Sequence, residues 1–388
     1  MQVVPTLNSG GGDQLQYDPN SSNREQALMG DYYIPRLSAK PIKSLLTGWD
    51  FPVNPAQVTE SGNITTTAAY IWDQTITQKS AGTNVAFARN SVTGGLQLTT
   101  ADASNSFYLL QYLSGKDAKK IVNGRWSVNV NGYKTSGAGD ATVRVYLYRG
   151  SSAASVPTLG TTIGSVDTSG NFTLSAANWT LINRSGLGTA QGNLNLASTS
   201  PQINSLDNDL RFTGWEITDS SQISDTDKFA IVVTVAYTTN PTVIVMNSIS
   251  LVPGDIPTRP APLSIAESTF NCLRYYEKSF EPNVTPATAV GTNNVSWGVQ
   301  GAVAGTLNTT AIIVRFRNAK RAIPNIALYN PVNNNAQVRN VGGTVDCTGS
   351  LSNPSIDGML VTANMPGGTA QGLALAVHWV ADARLGIV

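Results

Sequence analysis

From residue 41 to 252 apolar and polar side chains alternate with period two, the spacing that buries one face of a strand and leaves the other toward polar surroundings. In 125–131, Trp126, Val128 and Val130 share one face. In 142–149, Val143, Val145 and Leu147 alternate with Arg144, Tyr146 and Tyr148. Residues 229–237 (FAIVVTVAY) are apolar almost throughout, as in a central strand covered on both faces. Another strand, 242–246, follows the turn signal Asn240-Pro241. Strands this regular, separated by Gly, Asn and Ser, predict a jelly-roll-like antiparallel β-sandwich over 41–252.

The pattern breaks at 253–262, where four prolines fall in ten residues. Proline fixes φ and lacks an N–H, so no helix or central strand runs through it, and a semi-rigid linker is expected there. Ser264 followed by Glu267 then gives a capping box that starts a helix. Ala266, Phe270, Leu273 and Tyr276 predict its apolar stripe, which carries the helix into the segment 270–280. Strands resume at 311–316 and 325–329, and Leu373, Leu375, Val377 and Trp379 alternate along a last strand. Residues 263–388 are therefore expected to be a second β-sandwich with one N-terminal helix. Residues 1–40 read as an extended arm. They are rich in turn chemistry and poor in apolar residues, with Tyr17, Tyr32, Tyr33 and Ile34 as scattered anchors. The fold class predicted for the whole chain is all-β.

Only 13% of the 388 residues are charged, and the formal net charge is +1. Gly, Ser, Thr and Asn take the place of charge, which suits sheet surfaces and parts of large assemblies; a secreted β protein has the same composition. No basic field for nucleic acid exists. No run of about 18 apolar residues predicts a membrane span, and the first residues do not read as a signal peptide. Two cysteines, Cys272 and Cys347, fall in the same expected domain; they could pair, but read better as buried reduced thiols.

Three C-terminal segments occur in a telling order. Cys272, Arg274, Tyr275, Tyr276, Glu277 and Lys278 form a Cys-x-Arg-Tyr-Tyr-Glu-Lys cluster; Arg321, Ala322 and Pro324 follow, and then Trp379, Ala381, Asp382 and Ala383. This trio resembles the C-terminal domain of tailed-bacteriophage tail fibres and related virion appendages. That family often has Thr after the Pro, where this chain has Asn325. The upstream sandwich, through 108–113, 124–130 and 249–253, resembles the carbohydrate-binding-like sandwich that often precedes such domains. The resemblance implies a virion structural protein assembled in the host cytoplasm: a fibre, head-appendage or tail-adaptor subunit. It also implies a homotrimer that docks other virion proteins through its arm and presents sandwiches to a host glycan or a virion partner. The alternative is a carbohydrate-binding protein outside any virion.

Candidate chemistry is sparse, and no catalytic residue is expected. His378 is the one histidine, on a strand where it faces away from Leu373 and Leu375; with Cys272 as its only conceivable nucleophile, no local motif supports catalysis. Asp207/Asp209 and Asp225/Asp227 are Asp-x-Asp pairs near strand ends. Turn-forming aspartates are the first reading, a structural calcium site the second and glycosidase acids the third. No other cofactor is expected. Tyr146 and Tyr148, on the face opposite the core, with Trp72 and Trp179 near polar loops, are candidates for a glycan platform or an oligomer interface.

Overall fold

The computed structural model describes residues 6–8, 12–14, 44–51, 60–80, 84–101, 105–118, 125–136, 141–156, 158–182, 190–194, 209–216, 224–237, 242–253, 263–282, 284–299, 309–364, 366 and 374–384. Two compact units result, Met1–Lys43 and Ser44–Val388. In the first, β1 (Thr6–Asn8) and β2 (Gly12–Gln14) pair as an antiparallel hairpin. Its expected anchors Tyr17, Tyr32, Tyr33 and Ile34, like most of linker 253–262, lie outside the described residues.

The second unit begins with the predicted sandwich. In chain order its strands are β3 (Ser61–Ile64), β4 (Ala69–Trp72), β5 (Thr75–Lys79), β6 (Val85–Arg89), β7 (Leu96–Thr100), β8 (Asn105–Ser114), β9 (Arg125–Ser136) and β10 (Ala141–Gly150). They continue as β11 (Gly164–Val166), β12 (Phe172–Leu174), β13 (Trp179–Leu181), β14 (Ala190–Leu194), β15 (Asp209–Glu216), β16 (Lys228–Tyr237) and β17 (Thr242–Pro253). One sheet runs β13-β10-β16-β8-β5-β4, with β14 also on β10; the other runs β15-β9-β17-β7-β6-β3. The core between them holds Trp126, Val128 and Val130 of β9, Val143, Val145 and Leu147 of β10, and Phe229, Ile231, Val233 and Val235 of β16. These are the residues the alternation assigned to the inside.

A third layer was not legible in the pattern. The hairpin β11–β12 covers the outer face of the first sheet and closes a second core of Ile163, Val166, Phe172 and Leu174 over Tyr108, Tyr146, Tyr148 and Val232. Because β16 lies in the middle layer, it is buried on both faces, which explains its unbroken apolar run.

After the linker, the capping box forms as predicted: Glu267 N donates to Ser264 Oγ at 3.2 Å and Ser264 N donates to Glu267 Oε2 at 3.2 Å. The helix spans Ile265–Leu273, shorter than its apolar repeat suggested. Its buried face is Ser268 and Cys272, small residues one turn apart that allow close approach, while Phe270 is 54% exposed. Tyr276 is not on the helix at all; it opens β18 (Tyr276–Lys278). The expected stripe is corrected accordingly.

The remaining strands are β19 (Ser296–Val299), β20 (Thr309–Arg315), β21 (Asn325–Tyr329), β22 (Val338–Asn340), β23 (Val345–Ser352), β24 (Gly358–Asn364) and β25 (Ala374–Asp382). They form one eight-stranded sheet with β18. Its centre is β25, which takes β18 and β21 on opposite edges of its C-terminal half and β19 and β22 on opposite edges of its N-terminal half. The sheet curls around one core, in which Leu375, Val377 and Trp379 meet Ile312, Val314, Leu328, Val338 and Val361. The chain is thus all-β, with two layered β units and a single long helix among the described residues.

Candidate functional site

The three signature segments are far apart in sequence and meet at the C-terminal end of β25. In β18, Tyr276 pairs with Asp382, Glu277 with Ala381 and Lys278 with Val380; Asn325 pairs with Asp382 from the other edge. Arg321 ties the remaining ends together: its N–H donates to Arg274 O and its Nε to Ala383 O, both at 2.9 Å. Ala383 N donates to Tyr275 O at 2.7 Å.

Two charge clusters are built into this junction. Glu277 and Lys320 pair at 2.6 Å with side chains 2% and 0% exposed. Lys320 Nζ also donates to the carbonyls of Leu273 and Asn318, and Glu277 accepts from Arg317 N at 3.1 and 3.2 Å. Every charged atom is thereby satisfied, the condition under which a buried pair is tolerated. Lys278 donates to Pro282 O and Val284 O at 3.0 Å, and burial pushes its amine down to about 8.

The second cluster joins the two sandwiches. Arg384 grips Asp382 bidentately, Nε to Oδ1 at 3.1 Å and the terminal nitrogen to Oδ2 at 2.7 Å. Its other terminal nitrogen donates to Asp73 O, 3.1 Å away in the turn between β4 and β5. The guanidinium lies 3.8 Å from the ring of Tyr70, in the upstream sandwich, and 4.3 Å from that of Tyr276. The Asp73 carboxyl is fully buried against Cys272 of the helix. Gly48, at φ +75°, permits this turn, since a Cβ there would come 2.9 Å from Asp73 Oδ2.

Burial pushes the Asp73 carboxyl up from 3.8 to about 6, although Cys272 and Arg384 pull it down. Between about pH 4 and 6 the folded chain binds a proton that the unfolded chain has lost, so stability falls as pH rises through this window and stays lower above it. Asn cannot ionise and tolerates the residue's φ of +41°. Asp73→Asn is therefore expected to abolish that decline and to add about 1–2 kcal/mol at pH 7. Urea unfolding at pH 4.5 and pH 7 checks this; an equal pH dependence in both proteins refutes it.

Cys272 and Cys347 are both free and buried. Burial first, then Asp73, raises the Cys272 thiol well above its usual range, which leaves little thiolate to attack anything. His378 is fully buried; its Nδ1 meets Ser279 Oγ at 3.0 Å and its ring stacks on Phe280 with centroids 4.2 Å apart. Sequence reasoning missed this Ser–His contact. The Ser279 hydroxyl also accepts from Trp379 N at 2.8 Å, so it closes the end of β18.

The expected glycan residues are placed differently. Tyr146 and Tyr148 do face away from the main core, but β12 covers them: Tyr146 donates to Gly170 O and Tyr148 to Phe172 O, both at 3.0 Å. They are 3% and 7% exposed and form no open platform. Trp72 is fully buried in the main core, edge-on to Phe51 at 6.1 Å. Trp179 is half-buried beside Tyr112, and its Nε1 donates to Ser155 O at 3.0 Å. These four do not converge on one surface: a short hairpin seals the face of Tyr146 and Tyr148, and Trp72 points into the main core.

Of the four calcium candidates, only Asp225 and Asp227 have described side chains. Asp227 is buried, accepts from Arg149 Nε at 3.1 Å and from its terminal nitrogen at 2.7 Å, and caps its own turn through Ser224 N at 3.1 Å. The Arg149 guanidinium neutralises this carboxylate and repels a second cation. Asp225 is exposed; Asp207 lies outside the described residues, and of Asp209 only the backbone, in β15, is described. No group of three metal-ligating side chains occurs among the described residues. No helix among them is long and apolar enough to cross a membrane.

No protein-family model matches the chain, and no curated protein matches it. Similar solved structures include promiscuous carbohydrate-binding modules of the β-sandwich superfamily (11% identity, 55% of this chain and 63% of that one, TM-score 0.27). TmCBM61 in complex with β-1,4-galactotriose is 10% identical over 54% of this chain and 99% of that one, with a TM-score of 0.25. The native family 12 xyloglucanase from Bacillus licheniformis is 10% identical over 50% and 99%, also at 0.25. Binding modules and an enzyme stand side by side here, and likeness at this level reaches neither a ligand nor a reaction.

Proposed function

We propose that this chain is a non-catalytic structural subunit of a tailed-bacteriophage particle, a fibre, head-appendage or tail-adaptor protein. One observation carries the reading. The three segments that resemble the virion-appendage signature interlock around the end of β25; Cys272 of the first meets the buried Asp73 carboxyl of the upstream sandwich, and Asp382 of the third holds Arg384, which donates to Asp73 O. These residues and Arg384 thus form a joint between two β units, the device a spacer under mechanical stress needs. In this reading residues 1–40 dock the particle and the β units face the host surface.

Immunogold electron microscopy tests it, with antibody to the whole chain and particles made by the genome that encodes it. Gold on a defined appendage is the expected result; particles free of label and of this chain by mass spectrometry overturn the proposal. In solution the subunit is expected to be a homotrimer, so light scattering after size exclusion should give three times the chain mass.

A further inference from the structure

Two strand edges in the C-terminal unit face each other with no strand between them. β22 links β23 to β25 through the pairs Val338–Cys347 and Arg339–Ala376, and past Cys347 that link ends. Thr348–Ser352 of β23 then pair with β24 alone, and Asn325–Tyr329 of β21 pair with β25 alone. Between these edges lies a cavity of about 520 Å³. The consecutive residues 326–329 line one wall, the consecutive residues 349–351 the other, and Asn334 and Ala336 complete it. Successive residues of a strand point to opposite faces of its sheet, so only an edge presents all of them to one space. The cavity is therefore a slot in the plane of the sheet. An extended residue in a sheet occupies about 4.8 Å by 3.4 Å by 10 Å, or about 160 Å³, so the slot takes about three residues of one added strand.

The chemistry of the walls agrees with that size. None of their residues is charged and none is proline, the usual devices that keep a free edge from pairing. Leu351 pairs with Val361 of the core and so points inward, yet it is 37% exposed. Ile326 and Leu328 of the opposite wall face the same core. The core is thus left uncovered along the slot. Asn334 sits at φ +57°, and its N–H donates to Asn330 O at 3.0 Å. Its side-chain Oδ1 is buried and has no partner among the described residues. A buried acceptor in that state costs free energy until a donor reaches it.

We propose that this slot receives an extended, uncharged peptide strand from another protein. The added strand hydrogen-bonds to the free edges of β21 and β23 and lays apolar side chains at alternate positions over Leu328 and Leu351. Its backbone also brings an N–H within reach of Asn334. β21 is antiparallel to β25, whereas β23, antiparallel to β22, runs with β25. The guest is therefore antiparallel to one wall and parallel to the other. A charged guest side chain would meet only uncharged walls, so neutrality is part of the fit. Every strand described in this chain already has its place in a sheet, so none of them is the donor. The inference goes beyond the proposed function and does not rest on it: immunogold labelling can fail while peptide binding succeeds, and the reverse.

The test is an array of acetylated, amidated octapeptides of random sequence, with overlapping octapeptides of this chain beside them, probed with the full chain. The wild type is expected to select random-sequence peptides with apolar residues at alternate positions and no charge between them. N-methylation of the central backbone amides of the tightest peptide should weaken binding about tenfold or more, because the main chain makes the contact. That measurement uses the wild type alone, so it decides even where a variant fails to fold. Ala327→Lys and Leu351→Lys, each at an exposed position in the slot, should weaken binding as much. Ile313→Lys, 74% exposed on β20 and outside the slot, should leave it unchanged. The proposal is overturned if no peptide binds, if charged peptides are selected, or if binding survives N-methylation. It is also overturned if peptides of this chain bind best or if Leu351→Lys dissociates an oligomer, either of which would assign the slot to a second copy.

Discussion

Lys320→Ala is expected to destabilise the chain by about 3–5 kcal/mol, the largest effect expected of a single substitution in the two charge clusters. Lys320 has three ammonium donors and three acceptors in place, Glu277 and the carbonyls of Leu273 and Asn318. Removing it leaves Glu277, its side chain 2% exposed, with the Arg317 N–H and, 4.0 Å away, the exposed Arg317 guanidinium to meet it. The carboxylate must then take up a proton or draw water into the C-terminal unit. The pair itself contributes less than that loss suggests, because bringing both charges out of water offsets much of their attraction. Glu277→Gln combined with Lys320→Met should therefore recover most of the stability, to within about 1–2 kcal/mol of wild type. Urea unfolding of the single and double variants measures both effects. A single variant within about 1 kcal/mol of wild type would show that water reaches the pair.

Arg384→Ala should cost about 3 kcal/mol and, in calorimetry, split one unfolding transition into two. The first effect comes from the lost bidentate grip on Asp382 and the lost bond to Asp73 O. Because Asp382 is 27% exposed in this pair, water takes over part of its charge, so the cost sits at the low end for a buried partner. The second effect comes from position. Tyr70 and Tyr276 belong to different sandwiches, and the guanidinium between them is one contact through which one sandwich feels the other. Arg384→Lys should restore little, since an ammonium can neither fork onto a carboxylate nor stack as a plane. A single unchanged transition in Arg384→Ala would mean that the sandwiches are coupled elsewhere.

How far the sequence could be read depended on the range of the interaction responsible. The strands of the middle domain follow from alternation alone, because burying one face of a strand is a local demand on every second residue. Val143, Val145 and Leu147 therefore went inside as expected. The helix start was equally local: a hydroxyl and a carboxylate three residues apart bond the same turn. Its end was not. Phe270 and Tyr276 continue an apolar repeat, but the buried face is that of small Ser268 and Cys272, where Cys272 meets Asp73 of the upstream sandwich, and β25 claims Tyr276.

The same division separates the sites. Alternation correctly put Tyr146 and Tyr148 opposite the core, but only packing of the hairpin 164–174 decides whether that face meets water. Asp227 looked like a ligand until Arg149, 78 residues away, occupied it. The slot between β21 and β23 is walled by strands that no local spacing connects. The chain by itself determined that it folds as β layers, where the long helix begins and where the pattern breaks between sandwiches, since these are set by side chains within a few residues of one another. Which faces are sealed, which charges are paired and which strand edges stay open were decided only in three dimensions, because each depends on a segment brought from far along the chain by closure of the sheets.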